Sequence, residues 1–114
     1  MKNKERKRER FLKDPLTIRL AGLAADLGRV ASSARHETGS ESVAEMLEES
    51  QYYIEWTAAE AEPEVAAELV DMQIMIALWR TAWPEAQKNH TQRTLLSVQA
   101  KKWSDQVLVY SGIV

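Results

Sequence analysis

Apolar residues in this chain return at helical intervals. From Leu16 they recur as Leu20, Leu23, Leu27, Val30 and Ala34, steps of four and three that draw one stripe along a helix. A weaker stripe runs through Val43, Leu47, Ser50, Ile54, Thr57 and Ala61, and a cleaner one through Val65, Leu69, Met72, Ile76, Trp79 and Trp83. This third helix is also apolar on its far side, at Val70, Ile74 and Ala77, which predicts burial on two sides. Beyond the polar stretch AQKNHTQR at 86–93, a fourth stripe passes through Leu96, Ala100, Trp103 and Val107.

Local signals divide these stripes. Asp14-Pro15 predicts an N-cap followed by a first helical residue. Gly39 is a stop, with His36 in the last turn before it. Ser40 or Ser42 starts the second helix, with Ser42-Val-Ala-Glu45 fitting a capping box; Pro63 opens the next helix, Pro84 predicts a break or kink, and Ser111-Gly112 ends the last helix. Gly22 and Gly28 predict close approach of another helix. The expected helices are about 15–37, 42–61, 63–83 and 91–110. Their short connections predict an all-α antiparallel bundle of three core helices plus a fourth.

Composition narrows the chemistry. A chain of 114 residues suits one domain. It has no Cys, which removes disulfides, thiolate nucleophiles and Cys-ligated zinc, and suits a cytoplasmic location. No apolar run reaches the roughly 20 residues of a membrane span, and none follows the basic N-terminus as a signal peptide requires. The net charge of −2 conceals an asymmetry: residues 1–13 carry seven Lys or Arg against two Glu, whereas eleven acidic residues and no Lys or Arg lie between His36 and Trp79. Residues 1–13 read as a mobile basic arm on a bundle spanning 14–114. Acidic residues within the arm, the lack of aromatics before Phe11 and the acidic body argue against nucleic acid as its partner. The acidic hairpin of another subunit is the other candidate.

The enzyme signal is a pair of carboxylate motifs. Glu45-Met-Leu-Glu48 is E-x-x-E and Glu68-Leu-Val-Asp71 is E-x-x-D, each pair sharing a helix face. On neighbouring helices such pairs suit Mg²⁺, which takes carboxylate and water oxygens and bridges to phosphates. Residues 44–78 thus resemble the all-α nucleoside triphosphate pyrophosphatase (MazG-like) family, although Ala44-Glu45 stands where that family has a Glu doublet. The resemblance implies Mg²⁺-dependent pyrophosphate release with Glu45, Glu48, Glu68 and Asp71 as ligands. Helical rotation opposes convergence within one chain: Glu45 and Glu48 fall opposite the core stripe of their helix, while Glu68 and Asp71 flank theirs. A dimer could bring them together. His36 and His90 lack a companion at ligand spacing, and Trp56, Trp79, Trp83 and Trp103 read as packing residues.

A second resemblance rests on RLAGLAADLGRVAS (19–32), LEESQYYIEWTAAEAE (47–62) and AELVDMQIMIALW (67–79). Over about residues 14–84 these look similar to short cyanobacterial proteins of unknown function, and the likeness implies no activity. Weighed together, the residues favour a protein-interaction or structural module that self-associates as a homo-oligomer or binds another protein. It would need no cofactor and touch no membrane. The alternative is the Mg²⁺-dependent pyrophosphatase.

Overall fold

A computed structural model describes residues 1–113. Five helices follow one another: α1 (Lys4–Lys13), α2 (Leu16–Ala34), α3 (Glu41–Thr57, continued by a 3-10 turn at Ala58–Glu60), α4 (Pro63–Ala86) and α5 (His90–Ser111). The described residues contain no strand, and none of their helices is long and apolar enough to cross a membrane. The all-α antiparallel bundle expected from periodicity is the observed fold.

Cross-links between helices give its topology. Arg19 on α2 reaches the end of α3 at Trp56 and Glu60. Gln51 and Glu48 on α3 meet Gln73 and Arg80 on α4. Trp79 on α4 donates to Gln99 on α5, and Ser97 and Ser104 on α5 donate to the carbonyls of Ala31 and Ala24 on α2. Helices α2 to α5 therefore close a square in which each neighbour runs antiparallel. Leu23, Leu27, Val30, Leu47, Ile54, Leu69, Ile76, Trp83, Leu96 and Val107 fill its centre. Nearly every residue of the predicted stripes is in this core or against it.

The fourth helix is not peripheral, because α5 packs most closely of all, against α2. Its seam is made of small residues, Ala24 and Ala31 against Ser97, Ala100 and Ser104. The two serine hydroxyls satisfy themselves on helix carbonyls at 2.6 and 2.7 Å, so they can be covered without an orphaned donor. The glycines play no such part. A methyl at Gly22 would meet nothing within 4 Å, and one at Gly28 would rest at 3.5 Å from the Ser104 hydroxyl, an ordinary contact. Gly22→Ala should thus gain stability by about 1 kcal/mol through helix propensity alone. Thermal unfolding should show a rise of roughly 4 °C; a fall would mean that the α2 surface at Gly22 is covered.

Several local expectations are corrected. Within the basic arm at 1–13, Lys4–Lys13 form helix α1, whose Phe11 is buried against an aromatic surface. Pro15, not Asp14, is the N-cap of α2; Asp14 is extended and its carbonyl accepts from Arg19 Nε at 3.1 Å. Helix α2 ends at Ala34, leaving His36 outside it. The capping box does not form: Ser40 is the cap position, and the Ser42 hydroxyl turns back to the Gly39 carbonyl at 2.7 Å. Pro84 lies inside α4 without ending it. Proline removes one backbone donor, and the next turn closes regardless through Gln87 N–H to the Trp83 carbonyl at 2.9 Å. The fourth helix opens with Asn89, whose side chain accepts from Gln92 N–H, and closes at Gly112 with φ of 78°.

Candidate functional site

The four carboxylates singled out by the pyrophosphatase resemblance lie in separate places. Glu45 is exposed on the outer face of α3. Glu48 is half-buried and engaged twice, by the Met1 α-amino group and by Arg80 Nη2 at 2.9 Å. Hydrogen bonding from that amino group holds the Glu48 carboxyl below the usual range; burial opposes this, and the charges of Arg80 and Lys4 add to it. Glu68 and Asp71 are exposed on the other side of α4, with Glu68 at 3.5 Å from Gln106 Nε2. Among the described residues no three His, Cys, Asp or Glu side chains gather as a metal would require.

The cause is rotation along α4. Gln73 and Arg80, seven residues apart, face α3. Glu68 is turned from them by about 140°, counting 100° per residue, and faces α5. One chain therefore brings Glu48 to the α3–α4 seam and Glu68 with Asp71 to the α4–α5 seam. It does not bring the two motifs together.

The α4–α5 seam is where the square is least closed. Two hollows of about 240 Å³ lie along it and share Met75. One is lined by Glu68, Asp71, Met72, Met75, Trp103 and Gln106, the other by Met75, Leu78, Trp79, Ala82, Gln92 and Gln99. On α5 the glutamines recur every seven residues, at 92, 99 and 106; Gln99 and Gln106 reach Trp79 and Glu68 on α4, and Gln92 lines the second hollow. Trp79 Nε1 donates to Gln99 Oε1 at 2.8 Å. That ladder was visible in the sequence as a polar heptad beside an apolar one, and periodicity of apolar residues alone passes over it. Next to the groove stands a ridge of exposed apolar side chains on α4. Ile74 is 56% exposed and Leu78 59%, with Val70 in line. The second apolar face of the third helix is therefore uncovered in the single chain.

A different surface forms where α1 crosses α3. Phe11 is the only buried residue of α1. Its ring stacks on Tyr53 at 4.2 Å and tilts against Trp56 at 5.8 Å, while Tyr52 stacks on Trp56. Lys4 sits 4.5 Å above the Tyr52 ring and Lys7 lies 3.6 Å from Glu49. The Tyr53 hydroxyl donates to Glu49. Burial, reinforced by that hydrogen bond and the Glu49 charge, pushes the Tyr53 phenol well above its ordinary value. A hollow of about 370 Å³ between α1 and α3 is lined by Lys7, Arg10, Phe11, Asp14, Glu49 and Tyr53. From the sequence Trp56 reads as a packing residue, and Tyr52 and Tyr53 beside it complete a surface that the period of the core stripe passes over. Their i, i+1, i+4 spacing at 52, 53 and 56 is the signal for an aromatic outer face.

In comparisons with protein-family models, curated proteins and solved structures, nothing matches this chain.

Proposed function

We propose that this protein is a helical interaction module that self-associates, two copies packing through the α4–α5 face about a two-fold axis. A cytoplasmic setting suits a chain without cysteine. The observation that carries the reading is the pairing of an apolar ridge (Val70, Ile74, Leu78) with an apolar groove (Met72, Met75, Trp79, Trp103) on one face. An isologous interface needs self-complementarity, so a patch must offer both the projection and the recess that receives it. Methionine suits the recess, because its unbranched side chain adapts to what enters. The ridge from Val70 to Leu78 is roughly 12 Å long at 1.5 Å per residue, about two helical turns of contact. An antiparallel pairing of α4 with its copy also keeps the two Glu68–Asp71 pairs apart and lays each near the end bearing Lys88 and His90.

Sedimentation of the intact chain should show a dimer that becomes monomeric in the double variant Ile74→Glu, Leu78→Glu. The expected rise in dissociation constant is at least about 100-fold, the loss of roughly 2.7 kcal/mol from two central apolar contacts. Helical circular dichroism should be retained, since both side chains are exposed in the single chain. A wild-type chain that stays monodisperse and monomeric at high concentration would reject the proposal.

A further inference from the structure

We infer that the outer face of α3 is a receptor surface for a basic, aromatic-bearing helix, filled within one chain by α1 and open to exchange with the α1 of a second copy. This goes beyond the α4–α5 contact, since α3 and α5 lie diagonally across the square.

The hold on α1 is slight. It packs mainly against α3, with Phe11 its one buried side chain. An aromatic pair adds ~1 kcal/mol beyond its buried area, and exposed ion pairs such as Lys7–Glu49 add little. A ten-residue helix is also too short to be stable unaided in water, so docking and helix formation go together.

The hinge is placed where exchange needs it. Asp14 and Pro15 are both extended, and they are the only residues between α1 and α2. Arg19 grips the Asp14 carbonyl from the body side. Asp14 is therefore fixed to the bundle, and the segment before it is held by Phe11 together with the ion pairs of Met1 and Lys7 and the Lys4–Tyr52 contact. A change of backbone angle at one or two residues frees the arm as a unit, the low-cost route by which proteins swap an element between copies.

Charge identifies the occupant. Among the described residues Lys2, Arg6, Arg8, Arg10 and Lys13 make no ion pair, and neither do Glu41, Glu45 and Glu55 on α3. Each chain thus carries an unneutralised basic helix beside an unneutralised acidic one. The α1 of a second copy carries the same basic face, so it meets on this α3 the same charge complementarity as the chain's own arm.

The absence of native cysteine makes the test direct. Full-length Lys7→Cys and Glu49→Cys chains are mixed and oxidised, and the mixed disulfide is read by mass spectrometry. Glu85→Cys, exposed on α4, replaces Glu49→Cys as the control for random collision. The 7–49 product is expected several-fold above the control, rising with protein concentration and falling to the control level when Phe11→Ala is added to the Lys7→Cys chain. A 7–49 yield equal to the control, with efficient closure inside a single Lys7→Cys, Glu49→Cys chain, would overturn the inference. Repeating the mixture with Ile74→Glu, Leu78→Glu in both chains separates it from the α4–α5 dimer, because arm exchange should survive those changes.

Discussion

Trp83→Ala is expected to be the most damaging single substitution in this chain, lowering stability by about 4 kcal/mol. Trp83 is 1% exposed and is the largest fully buried side chain of the protein. Truncating a buried aromatic typically costs 3–5 kcal/mol, from lost transfer energy and from the cavity left behind. Here the ring also ties two connections together. Its Nε1 donates to the Ser40 carbonyl at 2.7 Å, and the Ser40 hydroxyl reaches Gln87 Oε1 at 3.1 Å. Arg93 closes the same end by donating to the Gln87 carbonyl at 2.7 Å. Urea unfolding should show a lower midpoint with an unchanged slope. Trp83→Phe separates the two contributions. It keeps most of the buried ring and loses the indole donor, while Ser40 keeps its partner Val43 N–H. That variant should cost only about 1–2 kcal/mol. Equal losses in both variants would place the importance of Trp83 in its hydrogen bond and not in its packing.

The contribution of Trp83 also shows what was legible in the sequence. Its place at the end of the third apolar stripe predicted a core position, as did the places of Leu27, Leu47 and Ile76 in theirs, because helical spacing puts each stripe on one face. Gly39 and Gly112 were readable for a local reason as well, both adopting positive φ. Features that depend on a distant partner were not readable. The residues of KERKRERFLK favour helix, but ten residues do not hold one in water; the aromatic face of α3 completes it. Ser97 and Ser104 look like surface residues until α2 supplies the carbonyls they bond. Pro84 looks like a terminator until the surrounding turn is seen to close through Gln87 and the burial of Trp83. The candidate site divides in the same way. An apolar far side on α4 was evident from Val70 and Ile74, whereas the groove beside it depends on how α5 packs, with Gln99 and Gln106 reaching α4. The carboxylate motifs were plain as spacings, but spacing fixes only the face within one helix. Which seam each face enters is set by the packing of the other three.

Arg19→Ala should cost about 2–3 kcal/mol, a large loss for a charged residue, because its hydrogen bonds reach parts of the chain remote in sequence. The guanidinium, 5% exposed, forks onto Glu60 at 2.7 and 3.0 Å and reaches the Asp14 carbonyl at 3.1 Å. Hydrogen bonds to charged groups are worth roughly 1.5–3 kcal/mol. Glu60 and Asp14 are both exposed and regain water when their partner is lost, so most of the penalty should come from the vacated, buried stem of Arg19. Arg19→Lys should recover only part of it, since an ammonium cannot make the planar fork. The pair also predicts a pH signature. The Arg19 hydrogen bond, then its charge, holds the Glu60 carboxyl below its ordinary value of 4.5. A depressed carboxylate contributes stability above the unfolded pKa and loses it as pH falls through the folded one. Wild-type stability should therefore decline on acidification below about pH 4.5 more steeply than that of Arg19→Ala, as measured by urea midpoints across pH 3 to 6. Parallel profiles would show that Glu60 is equally hydrated with and without Arg19, and that the cost of the substitution lies wholly in the α1–α2 corner. The same variant loosens Asp14, the residue on which the arm turns, so it should also raise the yield of inter-chain arm exchange.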